Sequence, residues 1–174
     1  MLNTNIIHTP TGREEAWRFT PLSKLKGLHD GSAVIGDQHS LITKSLPKGA
    51  TFERVTTDNH LTDSDDAIVQ RVVGSNSIAK ITIDGELTEP VILGRGFLEK
   101  AEYSRVQVLV KKFAKATLIL ENTGNSLIAE DLELMLEPSS NLTFVTLQDF
   151  ENDAVYAARH HAIVDKDATF KSIT

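Results

Sequence analysis

Two neighbouring histidines, His160 and His161, stand in the stretch "AARHHAIVDKDATFKSIT" that closes the 174-residue chain. Imidazoles ligate transition metals and exchange protons near neutral pH, so this pair is the first candidate for chemistry. The alternation of residue types around it reads as a β-strand, and adjacent strand residues point to opposite faces. One ion held by both is therefore not expected, and no metal ligand is assigned. His160 is expected at a core or coil edge; a cupin-like metal-dependent enzyme built on either histidine is the alternative. Asp63, Asp65 and Asp66 in "LTDSDDAIVQRVVG" suggest a calcium loop, but the glycine and distal glutamate of an EF-hand are missing. These acids suit the positive end of a short helix capped by Thr62 or Ser64.

Other candidates are weaker. Gly94, Arg95 and Gly96 form a run too short to cradle a phosphate, and no nucleophile elbow is present. Gln148 and Asp149 in "TLQDF" could supply one carboxylate of a carbohydrate-cleaving groove. Aromatic residues make up only 6% of the chain, however, and the single tryptophan, Trp17, lies near the N-terminus, so Asp149 reads as a strand-end residue. Lys111, Lys112 and Lys115 read as a solvated turn. No catalytic residue is assigned, any cofactor-binding residue is unknown, and the expectation is a protein that is not an enzyme.

Composition narrows the partners. With 40% hydrophobic residues, 24% charged residues and a net charge of −6, a surface that binds nucleic acid by bulk charge is not expected. The absence of cysteine removes disulfides, thiolate metal sites and a thiol nucleophile. No segment approaches the roughly 20 apolar residues of a membrane helix, and "MLNTNIIHTPTGREE" lacks the features of a signal peptide. The expected location is the cytoplasm.

The elements that must carry these residues fall into two parts. Residues 1–32 form a helical arm: Thr11 and Glu14 have capping-box spacing, and Thr20 precedes a proline suited to a first helical position. Leu22, Leu25 and Leu28 share one face, with Gly31 as a left-handed stop. Residues 33–174 change to short apolar runs broken by glycine, proline and asparagine, the pattern of strands. Positions 26 apart then align: Val106, Leu132 and Ala158; Val108, Leu134 and His160; Val110, Leu136 and Ala162; Ala116, Leu142 and Ala168; Thr117, Thr143 and Thr169; Leu118, Phe144 and Phe170. His161 correspondingly takes the place of Leu109 and Met135. Each copy is strand, turn, strand, connection, and stacking the copies would merge their apolar faces into one core. The predicted fold is mainly β, a right-handed parallel β-helix with a short N-terminal helical arm; a jelly roll or cupin barrel is the competing architecture.

The segments "REEAWRFTPLSKL", "ITIDGELTEPVIL", "LENTG", "TLQDF" and "ARHHAIVDKDATFKS" resemble the arm and β-helix of the SufB/SufD family of iron–sulfur cluster assembly scaffolds, on its SufD side. The resemblance covers most of residues 13–174. It implies a non-enzymatic subunit that works with SufB and with SufC, the ATPase, the cluster and ATP being handled by other subunits or regions. Family members are more than twice this length, and the family's cluster-associated histidine and SufC-docking region lie beyond the part that matches. Neither His160 nor His161 inherits that role. The chain therefore reads as a fragment, its solenoid truncated inside a strand, and an exposed C-terminal strand edge over residues 158–174 is expected to make it self-associate. A carbohydrate-active β-helix remains a third functional reading.

Overall fold

A computed structural model describes residues 7–37, 39–56, 64–75, 77–96 and 98–174. Among them the chain builds a β-solenoid of about four turns. Ten strands enter two five-stranded sheets: β1 (Leu41–Ser45), β4 (Val91–Arg95), β6 (Lys115–Gly124), β8 (Asn141–Phe150) and β10 (Thr169–Ile173) form one. The other contains β2 (Ala50–Thr56), β3 (Ser77–Ile83), β5 (Glu102–Val110), β7 (Leu127–Leu136) and β9 (Val155–Val164). From β3 onward each strand pairs in parallel with its counterpart in the next coil. The first coil runs the other way, since β1 is antiparallel to β4 and β2 is antiparallel to β3.

Alternation decides the core. Ile81, Val108 and Leu134 stack through one sheet, and Leu93, Leu120, Leu118 and Phe144 face them from the other, all buried in one apolar cluster. At each coil's sharp turn one residue adopts a left-handed backbone: Gly85 (φ 86°), Phe113 (φ 65°), Ser139 (φ 62°) and Asp167 (φ 60°). Lys111 and Lys115 flank these turns as expected for solvated charges, pairing with Asp84 at 3.1 Å and Glu86 at 3.2 Å. The Lys112 ammonium lies 5.0 Å from the centre of the exposed Phe113 ring.

The repeat is less uniform than the sequence alignment. The spacing is 27 from Ile81 to Val108, 26 from Val108 to Leu134, and 28 from Leu134 to Ala162. His160 therefore pairs with Leu132 and His161 with Glu133, not with Leu134 and Met135. Ala158 likewise stands beside Glu130, Leu142 beside Phe170, Phe144 beside Ser172 and Thr143 beside Lys171. The cause is the connection from β8 to β9, residues 151–154, two residues longer than Asn125–Ser126 between β6 and β7. A shift of two conserves side-chain facing, so the apolar alternation gives no sign of it.

The arm is less helical than predicted. Thr11 donates its backbone N–H to Glu14 at 3.0 Å, but only one 3-10 turn follows, Glu15–Trp17. The second turn, Leu22–Leu25, starts after Pro21 rather than Thr20, and the chain leaves it through Lys26 and Gly27 (φ 47° and 90°) rather than at Gly31. Trp17, Leu25 and Leu28 pack with Ile68, Val72, Ala129 and Ala157, so the arm covers the outer face of the β5–β7–β9 sheet. Helix α1 (Ala67–Val73) shares that layer, and its cap is Asp66, which accepts from Ile68 N at 2.9 Å and Val69 N at 3.0 Å. Ser64 instead accepts from Asp66 N at 3.2 Å, while Thr62 and Asp63 lie outside the described residues.

Candidate functional site

Charged and polar side chains occupy inward positions along one corner of the solenoid. Arg95 follows Val91 and Leu93 in the inward alternation of β4, and its side chain is fully buried. Burial of that guanidinium demands partners, because an unpaired buried charge costs several kcal/mol or more. Arg95 Nη1 donates to Ser40 Oγ at 2.8 Å, and Nη2 donates to Ser104 Oγ at 2.9 Å and to Glu130 Oε2. Glu102 Oε2, 3.5 Å from Arg95 Nη1, accepts from the Ser40 hydroxyl at 2.5 Å and its backbone N–H at 3.2 Å. Burial pushes the Arg95 pKa below the usual guanidinium value, and the Glu102 carboxylate opposes that shift.

The corner continues into the last coil. Tyr156 donates its hydroxyl to Glu130 Oε1 at 2.5 Å, and the same phenol oxygen lies 3.5 Å from His160 Nε2. Burial raises the Tyr156 pKa, partly offset by Arg95. His160 points inward, its ring edge-on to Phe144 at 5.5 Å, with Nε2 3.8 Å from Glu130 Oε1. Burial, and secondarily the Arg95 charge, lower the His160 pKa below 6.5. The folded state thus favours neutral imidazole. As pH falls below about 6.5 the unfolded chain takes up this proton first, so stability should drop over that limb. His160→Gln should flatten it, as read by urea midpoints across a pH series; an unchanged slope would contradict the assignment.

On the opposite face, charges also stack by register. Arg105, Asp131 and Arg159 form one row, with Arg159 bidentate to the buried Asp131 at 2.7 and 2.9 Å. Gln107, Glu133 and His161 form the next row. The two neighbouring histidines thus belong to different faces, as the strand pattern requires. No cluster of three or more His, Cys, Asp or Glu side chains suited to a metal ion occurs among the described residues. Asp149 lies exposed near the end of β8, paired in register with Thr123, and Gln148 beside it is also exposed. The short run Gly94–Gly96 makes no phosphate loop: Gly94 sits in β4 under the stem of Lys44, and Arg95 is the centre of the buried network.

Arg95, Glu102, Glu130 and Tyr156 are not among the candidates that residue types and spacing single out. A signal was available, because all four fall on the inward parity of strands whose other inward positions are mainly apolar.

A short β-solenoid with an ion-paired polar corner and an outer helical layer is the class these features define. Residues 93–174 match the family model described as the SUF system FeS cluster assembly SufBD core domain. Over 99% of its length the chain is 32% identical to an iron–sulfur cluster assembly SufBD family protein of Mycobacterium leprae and 30% identical to one of Mycobacterium bovis. It spans 46% and 45% of those two proteins, about half their length. No solved structure matches it significantly. In the solenoid and in these likenesses, the chain is similar to SufBD family iron–sulfur cluster assembly proteins. No helix among the described residues is long and apolar enough to cross a membrane.

Proposed function

We propose that this chain acts as a non-enzymatic scaffold of the SufD type, working in the cytoplasm with SufB and the ATPase SufC. The observation that carries this reading is the likeness to SufBD family proteins along 99% of the chain. Its interior is in keeping with the same reading: Arg95 is ion-paired with both Glu102 and Glu130 inside the wall, a structural use of charge. The iron–sulfur cluster is then cargo of the assembly, and ATP is handled by the partner. Deleting the gene should lower the activity of iron–sulfur enzymes in the cell, and restoring the chain together with SufB should recover it. Unchanged iron–sulfur enzyme activity after deletion would overturn the reading. Because the part of the family that docks SufC is not matched here, mixing the purified chain with SufC alone should leave ATP hydrolysis unchanged; tight binding or stimulation would contradict this.

Self-association belongs to the same proposal. Among the described residues no strand lies beyond β9 and β10, and Ile163, Val164 and Ile173 are exposed there. Unpaired edges recruit further strands. The 174-residue chain should therefore sediment as a dimer or larger species as its concentration rises. Thr169 N–H already donates to Ser140 O at 2.8 Å, so alternation turns the Ser172 N–H toward the open edge. Ser172→Pro should weaken association without removing an internal hydrogen bond, and a concentration-independent monomer would exclude edge pairing.

A further inference from the structure

We propose that the polar corner is a relay that couples two separate histidines, His39 at a cavity beside the first coil and the inward-facing His160 on β9. This rests on the contacts alone and stands whether or not the scaffold reading holds. His39 Nδ1 lies 3.5 Å from Glu102 Oε1, at a cavity also lined by Ile35, Asp37, Arg71, Ser75 and Tyr103. Glu102 accepts from Ser40 Oγ at 2.5 Å, and Ser40 Oγ accepts from Arg95 at 2.8 Å. Arg95 then reaches Glu130, Glu130 accepts from Tyr156 at 2.5 Å, and Tyr156 meets His160 at 3.5 Å. Every link is a direct polar contact. The chain of contacts crosses two coil steps from β5 to β9, about 10 Å along the stack.

Both ends are accessible and both can change charge. The side chains of His39 and His160 are 34% and 30% exposed, whereas Arg95 and Glu130 between them are sealed. Among the described residues, the charged or titratable groups that contact His160 are Tyr156 on its own strand and Glu130 on β7, with Arg95 on β4 acting through its charge. His39 faces Glu102, with Asp37 and Arg71 in the same cavity; Arg54 on β2 adds its charge near Glu102 and Arg95. A proton placed on His160 draws on the Tyr156 oxygen and on Glu130. Glu130 then holds Arg95 less strongly, and Arg95 leans more on Ser40 and Glu102, the group that His39 senses. Hydrogen-bonded networks in a low-dielectric interior pass polarisation on in this way. The His39 cavity and the His160 imidazole therefore sense each other's charge.

The test is a histidine titration followed by NMR on the whole chain. In the parent, the His39 ring signals should show a second, smaller inflection at the midpoint of His160. In His160→Gln that inflection should vanish, leaving a single-step His39 curve. Tyr156→Phe keeps both histidines but removes the hydroxyl link, and should abolish most of the cross-talk. A single-inflection His39 curve in the parent would overturn the relay without recourse to any variant. Equal coupling with and without the Tyr156 hydroxyl would also overturn it, since the effect would then be simple Coulomb action through space.

Discussion

A Leu134→Asp chain is expected to be unfolded. Leu134 is 1% exposed and lies between Val108 and Ala162 in the parallel stack. Removing a buried leucine side chain costs about 2–5 kcal/mol. Placing an unpaired carboxylate in the same column adds several kcal/mol more, against a total stability of roughly 5–15 kcal/mol for a domain. No basic group stands on either side of it in the stack to take up the charge. Circular dichroism and a urea titration would show the outcome, and a variant that melts cooperatively near the parent would mean that the stacking register is wrong.

Arg95→Met is the second large effect, expected to cost about 3–5 kcal/mol. The methionine fills a similar path, but Glu102 and Glu130 lose their shared cation and remain buried inside the wall, as do Ser40 and Ser104. Adding Glu102→Gln and Glu130→Gln should recover much of the loss, because it removes both stranded charges. Urea midpoints of the single and triple variants make the comparison. If Arg95→Met alone is as stable as the parent, the ion-paired corner contributes nothing to the fold.

Period-two alternation made the two sheets visible in the sequence, and turn residues marked the coil ends. The register from Val108 to Leu134 was readable because the intervening turn and connection have the lengths the repeat requires. It failed by two at His160, where residues 151–154 lengthen a connection without changing which face any side chain occupies. The polar corner was hidden for a different reason. Arg95, Glu102 and Glu130 lie on three different strands, and although each falls on an inward position of its strand, only the stacking of the coils shows that they meet. Thr11 and Glu14 did signal a capped turn, yet only a short 3-10 segment formed, because the arm's fate is set by how Trp17 and Leu25 pack on the sheet.

The reversed first coil has a consequence for how the molecule comes into being. With β1 antiparallel to β4 and β2 antiparallel to β3, that end offers the wrong chain direction for another parallel coil. It behaves as a floor. From β5 onward each strand has its parallel partner only 26–28 residues behind it in the chain. Growth in one direction from a fixed base keeps each new loop closure short and exposes only one unfinished rung at a time. Among the described residues the coils thus stack in chain order, each beside the one that precedes it.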